Sequence, residues 1–148
     1  MKKYSFFLAA LLCMMVSTVC HADDYMVAPA QLPAPVKNFV AQHFKGKSIA
    51  YAELDREFAG GKYELHLNDG TELNFDRRGN WDKVDCHMMP VPAALVPAPI
   101  ANYVKANYAG SKVSKIDKER YGYDIELTNG IELKFNKAGN LIGMDWDD

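Results

Sequence analysis

Cysteine is scarce in this chain of 148 residues. There are three, and Cys13 and Cys20 both fall within the first 22 residues. Cys86 alone has no partner for an internal disulfide, so the fold must be held by its core. Long apolar runs are equally rare: after Phe6 to Val19 no stretch approaches the ~18 residues a membrane helix needs. The chain has no clustered basic face either. Its 17 Lys+Arg and 19 Asp+Glu are interspersed and net to −2, which excludes a nucleic-acid footprint. With 49% hydrophobic and 11% aromatic residues and no low-complexity tract, a disordered chain is excluded. Ten glycines and seven prolines exclude a collagen-like or wholly helical protein.

The common catalytic signatures are missing as well. There is no Gly-x-Ser-x-Gly elbow, phosphate-binding loop or His-Glu-x-x-His motif. Beyond residue 22 the histidines are His43, His66 and His87, and none pairs with another at metal-ligand spacing. Cys86 adjoins His87, but adjacency in sequence does not aim a base at a thiol, so a buried or incidental cysteine is the simpler reading. Glu53, Glu64, Glu72, Asp124, Glu126 and Glu132 could supply an acid/base pair only if a sheltered cleft raised one pKa. Asp76 to Asp82, with Asp85 nearby, gathers oxygen ligands around Gly79, yet the spacing is not that of an EF-hand and two arginines oppose a cation. A Gly-Asn hairpin turn accounts for that segment more simply. These features predict no catalytic residue, no metal site and no cofactor.

What the sequence does contain begins with an address. Lys2 and Lys3 precede the apolar run, and Cys20-His21-Ala22 places small residues where a leader peptidase cuts, ahead of Asp23-Asp24. This is a signal peptide spanning residues 1–22, with the cut after Ala22. Lipidation of Cys20 is the weaker alternative, because Val19 stands where a small residue is wanted. Loss of Lys2 and Lys3 leaves the exported chain two charges more negative than the whole. A periplasmic or secreted protein follows, with no transmembrane span after cleavage.

The rest is one pattern written twice. Leu32-Pro33-Ala34-Pro35-Val36-Lys37-Asn38-Phe39-Val40 returns 64 positions later as Val96-Pro97-Ala98-Pro99-Ile100-Ala101-Asn102-Tyr103-Val104. Tyr63-Glu64-Leu65-His66-Leu67-Asn68-Asp69-Gly70 returns 60 positions later as Tyr123-Asp124-Ile125-Glu126-Leu127-Thr128-Asn129-Gly130. Glu72-Leu73-Asn74-Phe75 with Gly79-Asn80 likewise matches Glu132-Leu133-Lys134-Phe135 with Gly139-Asn140. A period of this size marks two copies of one supersecondary unit. Pro33 and Pro97 open a helix in each, carrying the stripes Val36, Phe39, Val40, Phe44 and Ile100, Tyr103, Val104, Tyr108, with Gly46 and Gly110 as stops. Alternating strands follow, joined at Asn68-Asp69-Gly70 and Asn129-Gly130. Less regular strands precede each hairpin (about 48–54 and 113–118) and follow it (81–85 and 141–146).

The expected fold class is therefore α+β: two tandem repeats, each a helix packed on a four-stranded antiparallel sheet with one dry and one solvated face. The first repeat spans 23–86, a Pro-rich stiff linker 87–95, and the second repeat 96–148. Each unit alone would be marginal, so the two should dock side by side, either as two sheets or within a single one.

The doubled pattern of a Pro-opened helix, Tyr-x-Leu-x-Leu-x-Asn/Asp-Gly and Phe-x-x-x-Gly-Asn resembles the PepSY-like, beta-lactamase-inhibitor-like proteins exported by Bacteroidota and related bacteria. The resemblance covers residues 27–146. It implies a helix on an antiparallel sheet and, by analogy with the inhibitors that share the fold, a solvent-facing sheet surface and loops that grip an enzyme. The chain carries none of the disulfides of those inhibitors.

The functional expectation is a non-enzymatic binding protein that recognises or inhibits a protein or peptide partner, such as a peptidase or a beta-lactamase-like enzyme, in the cell envelope. The long first hairpin supplies Arg56 and Phe58 as a charged and an apolar anchor. The outward rows Glu64, His66, Glu72, Asn74 and Asp124, Glu126, Glu132, Lys134 supply the remaining surface. The rivals are a cell-envelope protein that sequesters a small ligand or self-assembles and, more distantly, a hydrolase using the sheet carboxylates.

Overall fold

Proline decides where each helix begins. The structure, a computed structural model, describes residues 25–57 and 60–146. The first strand, β1 (Tyr25–Met26), and a 3₁₀ turn (Pro29–Gln31) lead into α1 (Ala34–His43). Pro33 is its N-cap at φ −54° and Pro35 lies in the first turn, where a missing N–H leaves no bond unmade. The helix ends where Phe44 donates to the carbonyl of Val40 and Gly46 turns to φ +79°. Val36, Val40 and Phe44 are buried along one stripe, each worth roughly 1.5–3 kcal/mol of apolar transfer.

The first hairpin series is β2 (Ile49–Asp55), β3 (Lys62–Leu67), β4 (Glu72–Asp76) and β5 (Trp81–Asp85). A second 3₁₀ turn (Ala93–Leu95) precedes α2 (Ala98–Asn107), then β6 (Val113–Lys118), β7 (Gly122–Leu127), β8 (Ile131–Asn136) and β9 (Leu141–Trp146). Among the described residues these strands form one antiparallel sheet in the order β1 to β9.

The sheet is continuous because β5 pairs with β6, setting Lys83 against Asp117, Val84 against Ile116 and Asp85 against Lys115. The Pro-rich segment between them extends that contact. The Cys86 N–H donates to the Ser114 carbonyl, the Val91 N–H donates to the Val113 carbonyl, and Val91 and Leu95 are buried. β1 was not foreseen. Its two residues pair with Leu54 and Glu53 on the outer edge of β2.

Both helices lie on one face, over a transverse apolar row in direct register: Ala52, Leu65, Leu73, Val84, Ile116, Ile125 and Leu133. Every member of that row is essentially inaccessible. The Phe39 ring meets Phe75 edge-on at 5.2 Å, and Tyr103 meets Phe135 at 5.4 Å. The ladder slips by one residue at Asn74/Phe75 and again at Lys134/Phe135. Glycine is required where the tight β6–β7 connection crosses β8: a Cβ on Gly122 would stand 2.1 Å from the Phe135 carbonyl oxygen.

Candidate acidic face of the sheet

Strand alternation that sends one set of side chains beneath the helices sends the other set to the opposite, open face. In register, that face carries two rows that run across the sheet. One is Glu53, Glu64, Asn74, Lys83, Asp117, Asp124, Lys134 and Gly143. The other is Tyr51, His66, Glu72, Asp85, Lys115, Glu126, Glu132 and Asp145.

Carboxylates outnumber lysines heavily in these rows, and several stand directly opposite one another. Glu53 faces Glu64, Glu72 faces Asp85, Asp117 faces Asp124, and Glu132 lies between Glu126 and Asp145. Like charges directly opposed across strands destabilise a sheet. Three lysines offset part of this: Lys83 reaches Glu72 at 3.3 Å, Lys115 reaches Asp117 at 3.5 Å and Lys134 reaches Asp145 at 3.6 Å. Partly exposed pairs of this kind contribute about 0–1 kcal/mol each, so the face remains a net anionic surface.

Asp117 is the half-buried carboxyl near the centre of the face. Burial raises its pKa above the ordinary value, against the pull of Lys115 and Lys83, and Asp124 opposite raises it further. Lys115 is held above its ordinary value: burial opposes its charge, but Asp117, Asp85 and Glu126 outweigh that. A small depression of about 70 Å³ lies between Asp117, Asp124, Glu126, Glu132 and Lys134. Beside it the Tyr121 hydroxyl donates to Asp124, which pushes the phenol up to about 12. On the first half, Tyr51 stacks on His66 with centroids 4.3 Å apart.

The structure thus brings Glu64, His66, Glu72, Asp124, Glu126, Glu132 and Lys134 onto one face, as the alternation predicts. Asn74 lies on that face too but is only 9% exposed, flanked by Glu64 and Lys83, so it offers little contact area and the expectation of an outward contact residue is corrected there. Arg56 stands apart from the rows, its guanidinium 4.0 Å above the Tyr25 ring at the β1 edge. Phe58 lies outside the described residues, as does the proposed leader. Tyr51, Lys83, Asp85, Lys115, Asp117 and Asp145 were missed, and with Glu53 and Gly143 they complete the rows. The signal for Lys83, Asp85, Lys115 and Asp117 was their Lys-x-Asp spacing.

Two other sequence candidates resolve locally. Cys86 is buried, and burial pushes its thiol up to about 11, so it stays protonated at neutral pH. Asp76 uses its carboxylate on its own turn, accepting the N–H groups of Arg78 and Asn80 at 2.9 Å each and the Asn80 amide at 2.9 Å. Asn136 accepts the N–H groups of Ala138 and Asn140 in the same way, at 3.0 Å each.

Residues 61–143 match the family described as "Putative beta-lactamase-inhibitor-like, PepSY-like". Among solved structures, a "putative calcium-regulated periplasmic protein" from Bacteroides thetaiotaomicron is 38% identical, with a TM-score of 0.79 over 83% of this chain and 97% of that one. A "putative periplasmic protein of unknown function" from Bacteroides vulgatus is 33% identical, with a TM-score of 0.79 over 83% of this chain and 99% of that one. No curated protein matches the chain.

Proposed function

The chain belongs to the PepSY-like, beta-lactamase-inhibitor-like family, and from that premise we propose that it is an exported, non-enzymatic binding protein whose open sheet face takes a cationic surface of a protein or peptide partner. The observation that carries this reading is the set of opposed carboxylates. A solvated face selected for stability alone would alternate charges across strands. Here Glu53/Glu64, Glu72/Asp85, Asp117/Asp124 and Glu126/Glu132/Asp145 are left as neighbours, an arrangement that a partner's Lys or Arg side chains would relieve. His66 stacked on Tyr51, and Arg56 above Tyr25, extend the surface toward the β1 edge. Whether capture inhibits an enzyme follows from whose basic surface is taken.

In this reading residues 1–22 are removed in export, and 23–86 and 96–148 are two repeats of one unit joined through 87–95. The structural relatives described as periplasmic support export, and no helix among the described residues is long and apolar enough to cross a membrane. Calcium regulation is a description of the Bacteroides thetaiotaomicron protein; in this chain the Asp76 oxygens are engaged by the backbone of their own turn.

Neutralising the face tests the reading. A Glu64→Gln/Asp124→Asn/Glu126→Gln/Glu132→Gln variant should fold as the parent does and release a bound partner at lower salt. Retention of the partner at unchanged affinity would refute it.

A second reading has its own observation. A groove of about 920 Å³ runs between α2 and the Pro-rich segment, floored by Val91, Val104 and Val113 and edged by Lys105 and Lys112. It suits sequestration of an apolar small molecule, which would show as a melting temperature that climbs with ligand concentration.

A further inference from the structure

The transverse apolar row beneath the helices does not end at Leu133. Its last member is Met144 on β9, directly opposite Leu133, and Met144 is 44% exposed where the rest of the row is closed. The reason is visible in the first half of the sheet. β9 repeats β5 in register: Leu141 faces Phe135 as Trp81 faces Phe75, Met144 faces Leu133 as Val84 faces Leu73, and Asp145 faces Glu132 as Asp85 faces Glu72. β5 is covered by β6 along its outer edge, so Val84 is 0% and Cys86 7% exposed. β9 has no such neighbour among the described residues, and Trp146, the counterpart of Cys86, is 64% exposed. Leu141 and Ile142 are exposed beside it. Four of the six residues of this open edge are large apolar side chains, exposed together with a single charge, Asp145, and no lysine or proline, which soluble proteins avoid unless the edge is used.

We propose that β9 is a self-association edge, on which β9 of a second copy pairs antiparallel about a two-fold axis. Two features select a second copy in this arrangement. Head-to-tail growth would need the outer edge of β2, because Ala52 holds there, opposite Leu65, the place that Ile116 holds on β6, opposite Ile125. That edge is already taken by β1 against Leu54 and Glu53 and by the Val27 N–H on the Ala52 carbonyl. A closed two-fold pair is what remains, and it is the commonest form of homo-oligomer. Charge agrees. A register with Met144 opposite its own copy sets each Asp145, the one charge of β9, against the other copy's Gly143. Gly143 stands where β5 carries Lys83, so no side chain crowds or repels the carboxylate, and Lys134 stays within 3.6 Å of it. Two Met144 side chains would then complete the row that β6 completes for β5.

Sedimentation equilibrium of the purified exported chain, residues 23–148, over a hundredfold range of concentration tests this. The expected result is a monomer–dimer equilibrium in which Met144→Lys weakens association at least tenfold. At a concentration where the chain is monomeric its melt should fall by no more than a few degrees, because the substitution breaks the Tyr108 hydroxyl contact to the Met144 sulfur but removes no fully buried side chain. With copper–phenanthroline as the oxidant, a Met144→Cys variant of residues 23–148 should form a disulfide-linked dimer across the two-fold axis, while the same chain without the substitution, whose one cysteine is the buried Cys86, stays unlinked. A chain that stays monomeric at every concentration overturns the proposal and leaves β9 to an extended segment of another protein. So does a dimer indifferent to Met144→Lys and Trp146→Lys, or a Met144→Cys dimer that fails to crosslink. None of these outcomes bears on the acidic face, which is tested separately.

Discussion

Ile116 sits where the two halves of the sheet meet, opposite Val84 on one side and Ile125 on the other, with no accessible surface. Truncating it to alanine removes buried carbons worth about 0.8 kcal/mol each and leaves a cavity that neighbours on both strands can only partly fill, for a loss of about 3 kcal/mol. A single domain has about 5–15 kcal/mol in total, so the change is large. Met144, in the same transverse row but 44% exposed, should lose less than about 1 kcal/mol on truncation. Urea unfolding followed by far-ultraviolet dichroism and by tryptophan fluorescence reads both. Trp81 and Trp146 lie in different halves, so coincident single transitions for Ile116→Ala, with a lower midpoint and an unchanged slope, show one cooperative unit. A loss under about 1 kcal/mol, or two transitions of which only one moves, would refute the claim that the β5–β6 junction binds the halves into one folding unit.

Other expectations follow from single residues. Gly122→Ala should prevent folding or cost several kcal/mol in thermal melts, because the new Cβ meets the Phe135 carbonyl oxygen at 2.1 Å and that backbone cannot yield; a melt within about 1 kcal/mol of the parent would contradict the geometry. Cys86, buried with its thiol pushed up to about 11, should react with a thiol reagent at neutral pH only on unfolding, and fast labelling of the native chain would contradict its placement. Asp69 and Asp76 are both held below the ordinary carboxylate value. Burial opposes their charge but is outweighed, for Asp69 by Thr71 and Lys47 and for Asp76 by Asn80, Arg78 and Gly79. A lowered folded pKa means their stabilisation is complete above the unfolded value and is lost as pH falls through the folded one. Asp76→Asn keeps the two backbone bonds that Asn136 makes but loses the acceptor for the Asn80 amide, so it should lower the neutral-pH melt by about 1 kcal/mol and flatten the acid limb; an unchanged acid limb would remove Asp76 from that role.

The elements of the fold were legible because each is announced locally. Proline sets the helix starts at Pro33 and Pro97, and period-two alternation with Gly70 and Gly130 sets the hairpins. The joining of the halves was not legible as a certainty, since β5 and β6 are separated by a helix and meet only through side-chain complementarity such as Lys83 with Asp117 and Val84 with Ile116. β1 was missed because two residues carry no periodicity. On the candidate face, alternation in β3, β4, β7 and β8 located Glu64, Glu72, Asp124, Glu126 and Glu132. The ladder irregularities at Asn74/Phe75 and Val113/Lys115 hid the continuation through β5 and β6, because the slip at Ser114 breaks the pattern just before Lys115 and Asp117. Asn74 shows the limit of alternation, which gives the side a residue faces and not how far its neighbours cover it.

The central claim is that the acidic face of the sheet takes a cationic partner. Immobilised protein and its Glu64→Gln/Asp124→Asn/Glu126→Gln/Glu132→Gln variant, both shown to be folded, would be exposed side by side to cell-envelope extract of the source organism. Bound proteins would then be eluted in a salt gradient and identified by mass spectrometry. One stoichiometric protein held by the parent, released by salt and absent from the variant is the predicted result. An empty eluate from the parent, or a protein held equally by both baits, would contradict it.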